Sequence, residues 1–102
     1  MRDEDVLTGR LLEDACLTLE ELASAAAVSR DWLLARIEEG LVAASGPSLA
    51  EWRFSAVALR RVRRMHAIER DFDAVPELAA LVADMLEEMD ALRARLERSG
   101  LP

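Results

Sequence analysis

From Val75 to Leu96 the apolar residues return on a seven-residue repeat. Val75, Val82, Met89 and Leu96 occupy one position of that repeat, and Leu78, Met85 and Leu92 occupy the position three residues on. A spacing of 3.5 residues is the mark of a helix with one narrow apolar seam, and roughly three heptads are the least that define one. Such a helix over 76–98 runs about 34 Å at 1.5 Å per residue, longer than a small domain requires for its own closure. Leaving the seam wet would forgo about 1.5–3 kcal/mol for each large side chain. The pattern therefore predicts a two-fold homodimer through Leu78, Val82, Met85, Met89, Leu92 and Leu96. Leu81 and Leu86 widen the face, and Glu88 opposite Arg93 or Arg95 sets the register at little energy each.

The remaining chain is too short for a second large body, and it reads as helical throughout. Residues 1–17 form an acidic, partly ordered lead-in with Leu7, Leu11 and Leu12 at helical spacing and Val6 or Leu17 docking on the domain. Thr18 and Glu21 form a capping box ahead of Leu19, Leu22 and Ala23, which predicts a short helix ending near Ala26. Ser29 caps a second helix over 30–39, with Leu33, Ile37 and Leu41 inward, and Gly40 supplies the left-handed residue that ends it. Two short helices around a tight turn predict a helix-turn-helix. Ser45-Gly46-Pro47-Ser48 is a turn, and Glu51-Trp52-Arg53-Phe54 alternates like a strand, which predicts a small β-wing. Ser55 caps a third helix with Leu59, Val62 and Met65, then Ile68 or Phe72, as its buried stripe. Asp71-Phe72-Asp73 is a break, and Pro76 fits the first turn of the last helix. The expected division is a lead-in over 1–17, a winged helix-turn-helix over 18–73 and a dimerisation helix over 74–102.

Charge and residue usage exclude several functions. All 13 basic residues are arginine, against 20 acidic ones, for a formal net charge of −7. Residues 30–70 are net basic, with eight arginines against five carboxylates, while the flanking segments are net acidic. General nucleic-acid or anionic-membrane binding needs a cationic excess that this chain lacks. One His, one Cys and no Tyr leave no nucleophile–base pair, so no enzyme is expected. His66 stands beside Arg63 and Arg70 with no second ligand at helical spacing, and Cys16 reads as a small buried hydrophobe. Neither a metal nor an organic cofactor is expected. No apolar run long enough for export or a membrane span is present, so the expected address is a reducing, cytoplasmic one.

Two interaction surfaces remain. Asp31, Glu38 and Glu39 on the second helix, with Glu20 and Glu21 nearby, form an acidic face suited to a basic partner. Arg60, Arg61, Arg63 and Arg64 either touch phosphates or pair with the acidic flanks, and the net charge favours pairing. The DNA-binding alternative would use Arg30, Arg36, Arg53, Arg60 and Arg64.

The order of helix-turn-helix, wing, third helix and long terminal helix resembles the MerR-like superfamily. The resemblance rests on Leu22-Ala23, Val28-Ser29, Leu33, Gly40-Leu41 and Trp52-Arg53-Phe54-Ser55, and it covers about 17–96. DNA-binding members place an arginine and aromatics after the leucine of the second helix, where this chain has Leu34, Ala35 and Arg36, with Glu38 and Glu39 beyond. The chain is more similar to the small CbpM-type chaperone modulators of that superfamily, in its Val28-Ser29 to Gly40-Leu41-Val42 stretch, Trp52-Arg53-Phe54, arginine-rich third helix and Leu92-Arg93-Ala94-Arg95-Leu96 ending. That resemblance implies a regulator that binds the J-domain of a DnaJ/CbpA-like co-chaperone and inhibits it by masking its basic DnaK-binding face.

Overall fold

The computed structural model describes residues 16–100, and the predicted lead-in lies almost wholly outside them. Four helices follow in order: α1 (Leu19–Ala26), α2 (Arg30–Glu38), α3 (Ala56–Phe72) and α4 (Pro76–Ser99), with a 3-10 turn over Leu49–Glu51. The protein is mainly α, as the sequence predicts.

Each of the first three helices starts where its cap dictates. The Glu21 amide donates to Thr18 Oγ1 at 3.1 Å and the Thr18 amide donates to Glu21 Oε1 at 2.9 Å, closing the capping box. Ser29 Oγ accepts from the Trp32 amide at 3.0 Å, and Ser55 Oγ accepts from the Ala58 amide. The end of α2 is a Schellman turn. Leu41 N–H reaches Arg36 O, Gly40 N–H reaches Ile37 O, and Gly40 sits at φ +78°. The turn between α1 and α2 has the same bonds, Val28 N–H to Ala23 O and Ala27 N–H to Ser24 O, with Ala27 at φ 58° in the left-handed position. An L-residue there costs about 1–2 kcal/mol that glycine avoids.

The wing is smaller than predicted. Two isolated antiparallel bridges, Leu17 with Phe54 and Ser45 with Arg53, replace the expected strands. Leu17 and Phe54 exchange both backbone hydrogen bonds, while Arg53 N–H alone reaches Ser45 O. Pairing cannot extend from Ser45, because Gly46 at φ +133° turns the chain so tightly that a Cβ there would lie 2.6 Å from Glu51 O, and Pro47 offers no donor. The 3-10 turn then carries the chain back to Trp52.

One core joins all four helices. Leu19, Leu22, Leu33, Val62 and Met65 are buried together, and Val42 and Phe54 seal the wing side. Leu59, Ile37 and Leu41 pack at its margin. Phe72 does not join the α3 stripe: it is 77% exposed at the last residue of the helix, just before the left-handed Asp73. Cys16, expected to be buried, is exposed at the edge of the first bridge.

Helices α3 and α4 form an antiparallel hairpin around Asp73 (φ 51°) and Pro76. The contact face of α4 consists of Ala79, Ala80 and Ala83, all buried, so the two backbones approach closely. Beyond the alanines, carboxylates of α4 meet arginines of α3. Arg61 donates to Asp84 Oδ1 at 2.7 Å and Glu87 Oε2 at 2.8 Å, and its Nε reaches Leu41 O at 2.8 Å. Arg64 Nη1 lies 2.9 Å from Asp90 Oδ2, with Arg60 at 4.0 Å from the same atom.

Two predictions follow from this construction. Ala27→Gly should raise the stability by about 0.5–1 kcal/mol, the left-handed penalty less the extra entropy of glycine, read as a higher urea midpoint at unchanged slope. Acid should weaken the fold in a defined window. The Arg64 guanidinium 2.9 Å from Asp90, reinforced by Arg60, holds the Asp90 carboxyl below its ordinary value, and the Thr18 backbone amide does the same for Glu21. A depressed carboxyl stabilises the fold at pH above its unfolded value and loses that contribution as pH falls through the folded one. The urea midpoint should therefore be flat above about pH 5 and fall below about pH 4, with a shallower fall in Asp90→Asn. A rise in stability on acidification would contradict it.

Candidate functional site

The outward face of α2 carries the acidic residues singled out by the sequence. Asp31 and Glu38 are seven residues apart, about 10 Å along the helix, and fall on one side of it with Ala35 between them. Both are exposed, and neither has an ion-pair or hydrogen-bond partner among the described residues. The other three candidates are engaged. Glu39, the residue that caps α2 rather than its last turn, meets Arg36 Nη1 at 2.9 Å. Glu20 meets Arg30 Nε at 3.2 Å, and Glu21 belongs to the capping box. The structure thus brings Asp31, Glu38 and Glu39 to one helix, and two of them have no partner among the described residues.

The arginines of the DNA-binding alternative have different fates. Arg36 turns inward. Its Nε and Nη2 bind Glu69 Oε2 and Oε1 at 3.0 and 2.7 Å, and its guanidinium lies 4.7 Å from the Trp32 ring centroid. Trp32 Nε1 donates to the same Glu69, and His66 packs edge-on against the Trp32 ring. The hydrogen bonds it donates to Glu69 hold the Arg36 guanidinium more firmly protonated than usual. Arg60 and Arg64 face Asp90, Arg30 pairs with Glu20, and Arg53 folds back on the carbonyls of Ala50 and Trp52. Arg63 reaches Ala25 O, so the arginine cluster of α3 is largely tied to this chain's own groups. Among the described residues no group of His, Cys, Asp and Glu has metal-binding geometry, and no helix is long and apolar enough to cross a membrane.

Sequence reasoning missed Glu69 and the clamp role of Arg61. Both act across more than twenty residues of chain, and no local spacing announces such a partner. The only local trace is Trp32 and Arg36 at i and i+4, which places an aromatic under a cation on one helix face.

On α4 the seven-residue stripe lies on a different face from the alanines. Leu78, Met85, Met89, Leu92 and Leu96 are 46–59% exposed and Val75 61%, while Val82 is half-buried. The helix presents one face to its own core and leaves the heptad face uncovered in the single chain. At the hairpin end, Ile68, Phe72, Ala74, Leu78 and Val82 line a shallow apolar groove.

Residues 17–99 match the family model described as MerR HTH family regulatory protein. A chaperone modulatory protein CbpM of Pseudomonas entomophila (strain L48) is 35% identical over 81 residues, which cover 76% of each chain. The chain belongs to the MerR-type, CbpM family. A second CbpM, from Coxiella burnetii (strain Dugway 5J108-111), is 26% identical over 94 residues, 91% of this chain and 89% of its own. No solved structure shows a significant match. Both family descriptions are regulatory ones.

Replacing Glu69 tests the inward pair. Glu69→Gln removes the charge opposite an Arg36 side chain that is only 12% exposed, and should destabilise this CbpM-family chain by about 2 kcal/mol in urea unfolding. The effect should largely vanish in an Arg36→Met, Glu69→Leu double variant, where neither charge is left alone.

Proposed function

We propose that this chain is a non-enzymatic regulator that pairs through α4 and lays the acidic face of α2 on the basic, DnaK-facing surface of a DnaJ/CbpA-like J-domain, inhibiting it. The observation that carries the reading is the sorting of charge on one small body. Arginines that a DNA reader would lay along phosphates are held by carboxylates of the same chain, whereas Asp31 and Glu38 stand exposed with no partner among the described residues. A free negative pair about 10 Å apart suits a cationic helix, on which residues one or two turns apart repeat at matching intervals. Complementary charge of this kind speeds encounter and selects the partner more than it deepens affinity. Similarity to proteins named chaperone modulators supports a co-chaperone as the partner. The exposed heptad face supports pairing, since apolar seams of this length are covered by a second helix of the same period.

Binding of the full chain to an isolated J-domain should weaken steeply between low and high salt, because exposed charges beyond about 10 Å are screened. Asp31→Arg with Glu38→Arg should lower the affinity about a hundredfold at low salt while circular dichroism and the unfolding midpoint stay unchanged. Unaltered affinity in that double variant would remove the α2 face from the interface. Glu39→Arg is a poorer probe, since it also disturbs Arg36.

The second reading, a dimeric DNA-binding regulator, draws on the helix-turn-helix family match. Under it Arg30, Arg36, Arg53, Arg60 and Arg64 would have to leave their present partners. Saturable, sequence-dependent binding to duplex DNA below micromolar at moderate salt would favour it over the J-domain reading.

A further inference from the structure

Phe72 is the most exposed large apolar residue among those described, and it stands outside the heptad, in the last turn of α3. It lines an apolar groove together with Ile68, Ala74, Leu78 and Val82. Leu78 and Val82 are also heptad residues, so the groove and the seam are one continuous surface that crosses from α4 onto α3. A lone surface leucine needs no explanation, but an unbroken apolar strip of this kind is rare on a monomer.

We propose that Phe72 anchors the association of this chain with a second copy of itself, extending the interface beyond the α4 seam into the groove at the hairpin end. The proposal rests on the paired reading of α4. Three observations select a second copy as the occupant. The strip repeats every seven residues, and the surface that meshes with such a repeat is a helix of equal period, which α4 itself supplies. The exposed large apolar side chains from Phe72 to Leu96 are 46–77% open, together on the order of the ~800 Å² that each partner of a stable complex covers. The flanks carry both signs, Glu88 beside Arg93 and Arg95, so a copy is complementary where a uniformly basic partner is not. Phe72 has the character of an interface anchor: a large rigid ring, uncovered in the single chain, next to a groove.

Sedimentation equilibrium of the full chain tests this with three variants. The wild type should be a dimer, and Met89→Glu, within the seam, should be a monomer. Phe72→Ser should raise the dimer dissociation constant at least tenfold with the same helical content, because the ring is not buried in its own protomer. Phe72→Leu should stay within about threefold of wild type, separating loss of apolar contact from a general surface effect. A wild type that is monomeric at every concentration overturns the pairing and the anchor together. A wild-type dimer that Met89→Glu dissociates and Phe72→Ser leaves untouched overturns the anchor alone. Loss of co-chaperone binding in Phe72→Ser with unaltered dimerisation would assign the ring to that other partner and overturn the proposal.

Discussion

The close approach of α4 to α3 through Ala79, Ala80 and Ala83 decides which side chains of the two helices face solvent. Small residues bury little apolar area apiece, so van der Waals contact alone would dock the helix weakly. The carboxylates Asp84, Glu87 and Asp90 complete the attachment by meeting Arg61 and Arg64. Two consequences follow from the same geometry. The bulky residues of α4 are left on another face, free to meet something else, and Arg61 and Arg64 of α3 are largely withdrawn from solution. Had the leucines and methionines formed the hairpin contact, the chain would have been a closed body with an open basic helix, which is the opposite molecule.

Much of this was legible from local spacing. Thr18 with Glu21, Ser29, Gly40, Ser55 and Pro76 punctuate the chain at the helix ends, because caps and breakers act within three or four residues and need no knowledge of the fold. The heptad also marks its own helix, though it is silent on which face docks at home. What escaped was what depends on distant chain. Phe72 continues the α3 stripe in register, yet it lies past the point where the hairpin covers that stripe. Trp52 to Phe54 alternate like a strand, but their pairing stops after single residues because Gly46 and Pro47 turn the opposite chain away. Cys16 carries no sign of its exposure, being one residue before the bridge that ties the chain down.

The candidate site was half legible for the same reason. The acidic composition of α2 can be read from Asp31, Glu38 and Glu39, but which of them is available depends on Arg36, whose orientation is set by Glu69 thirty-three residues on. Arg36 is instructive because both functional readings claim its neighbourhood. Turned outward it would have joined Arg30 as a phosphate contact; held by Glu69 and laid over Trp32, it braces α2 against α3 and keeps Glu39 beside it. One half-buried bidentate pair thereby changes the sign of what the helix offers to solvent.

Net charge and local charge must therefore be weighed separately in a chain of this kind. An overall excess of seven negative charges does not by itself make any face acidic, since exposed carboxylates and arginines cancel within a Debye length. What makes a face is the difference in commitment between the signs. Here Arg36, Arg61 and Arg64 are paired by short contacts across helices, and the anions of α2 are only partly paired. Docking a cationic partner on Asp31 and Glu38 consequently breaks no internal pair, whereas docking a phosphate backbone on Arg36 or Arg64 requires an ion pair to open first. Among the described residues of α2, the charges without an ion-pair partner are Asp31 and Glu38, and their sign is negative.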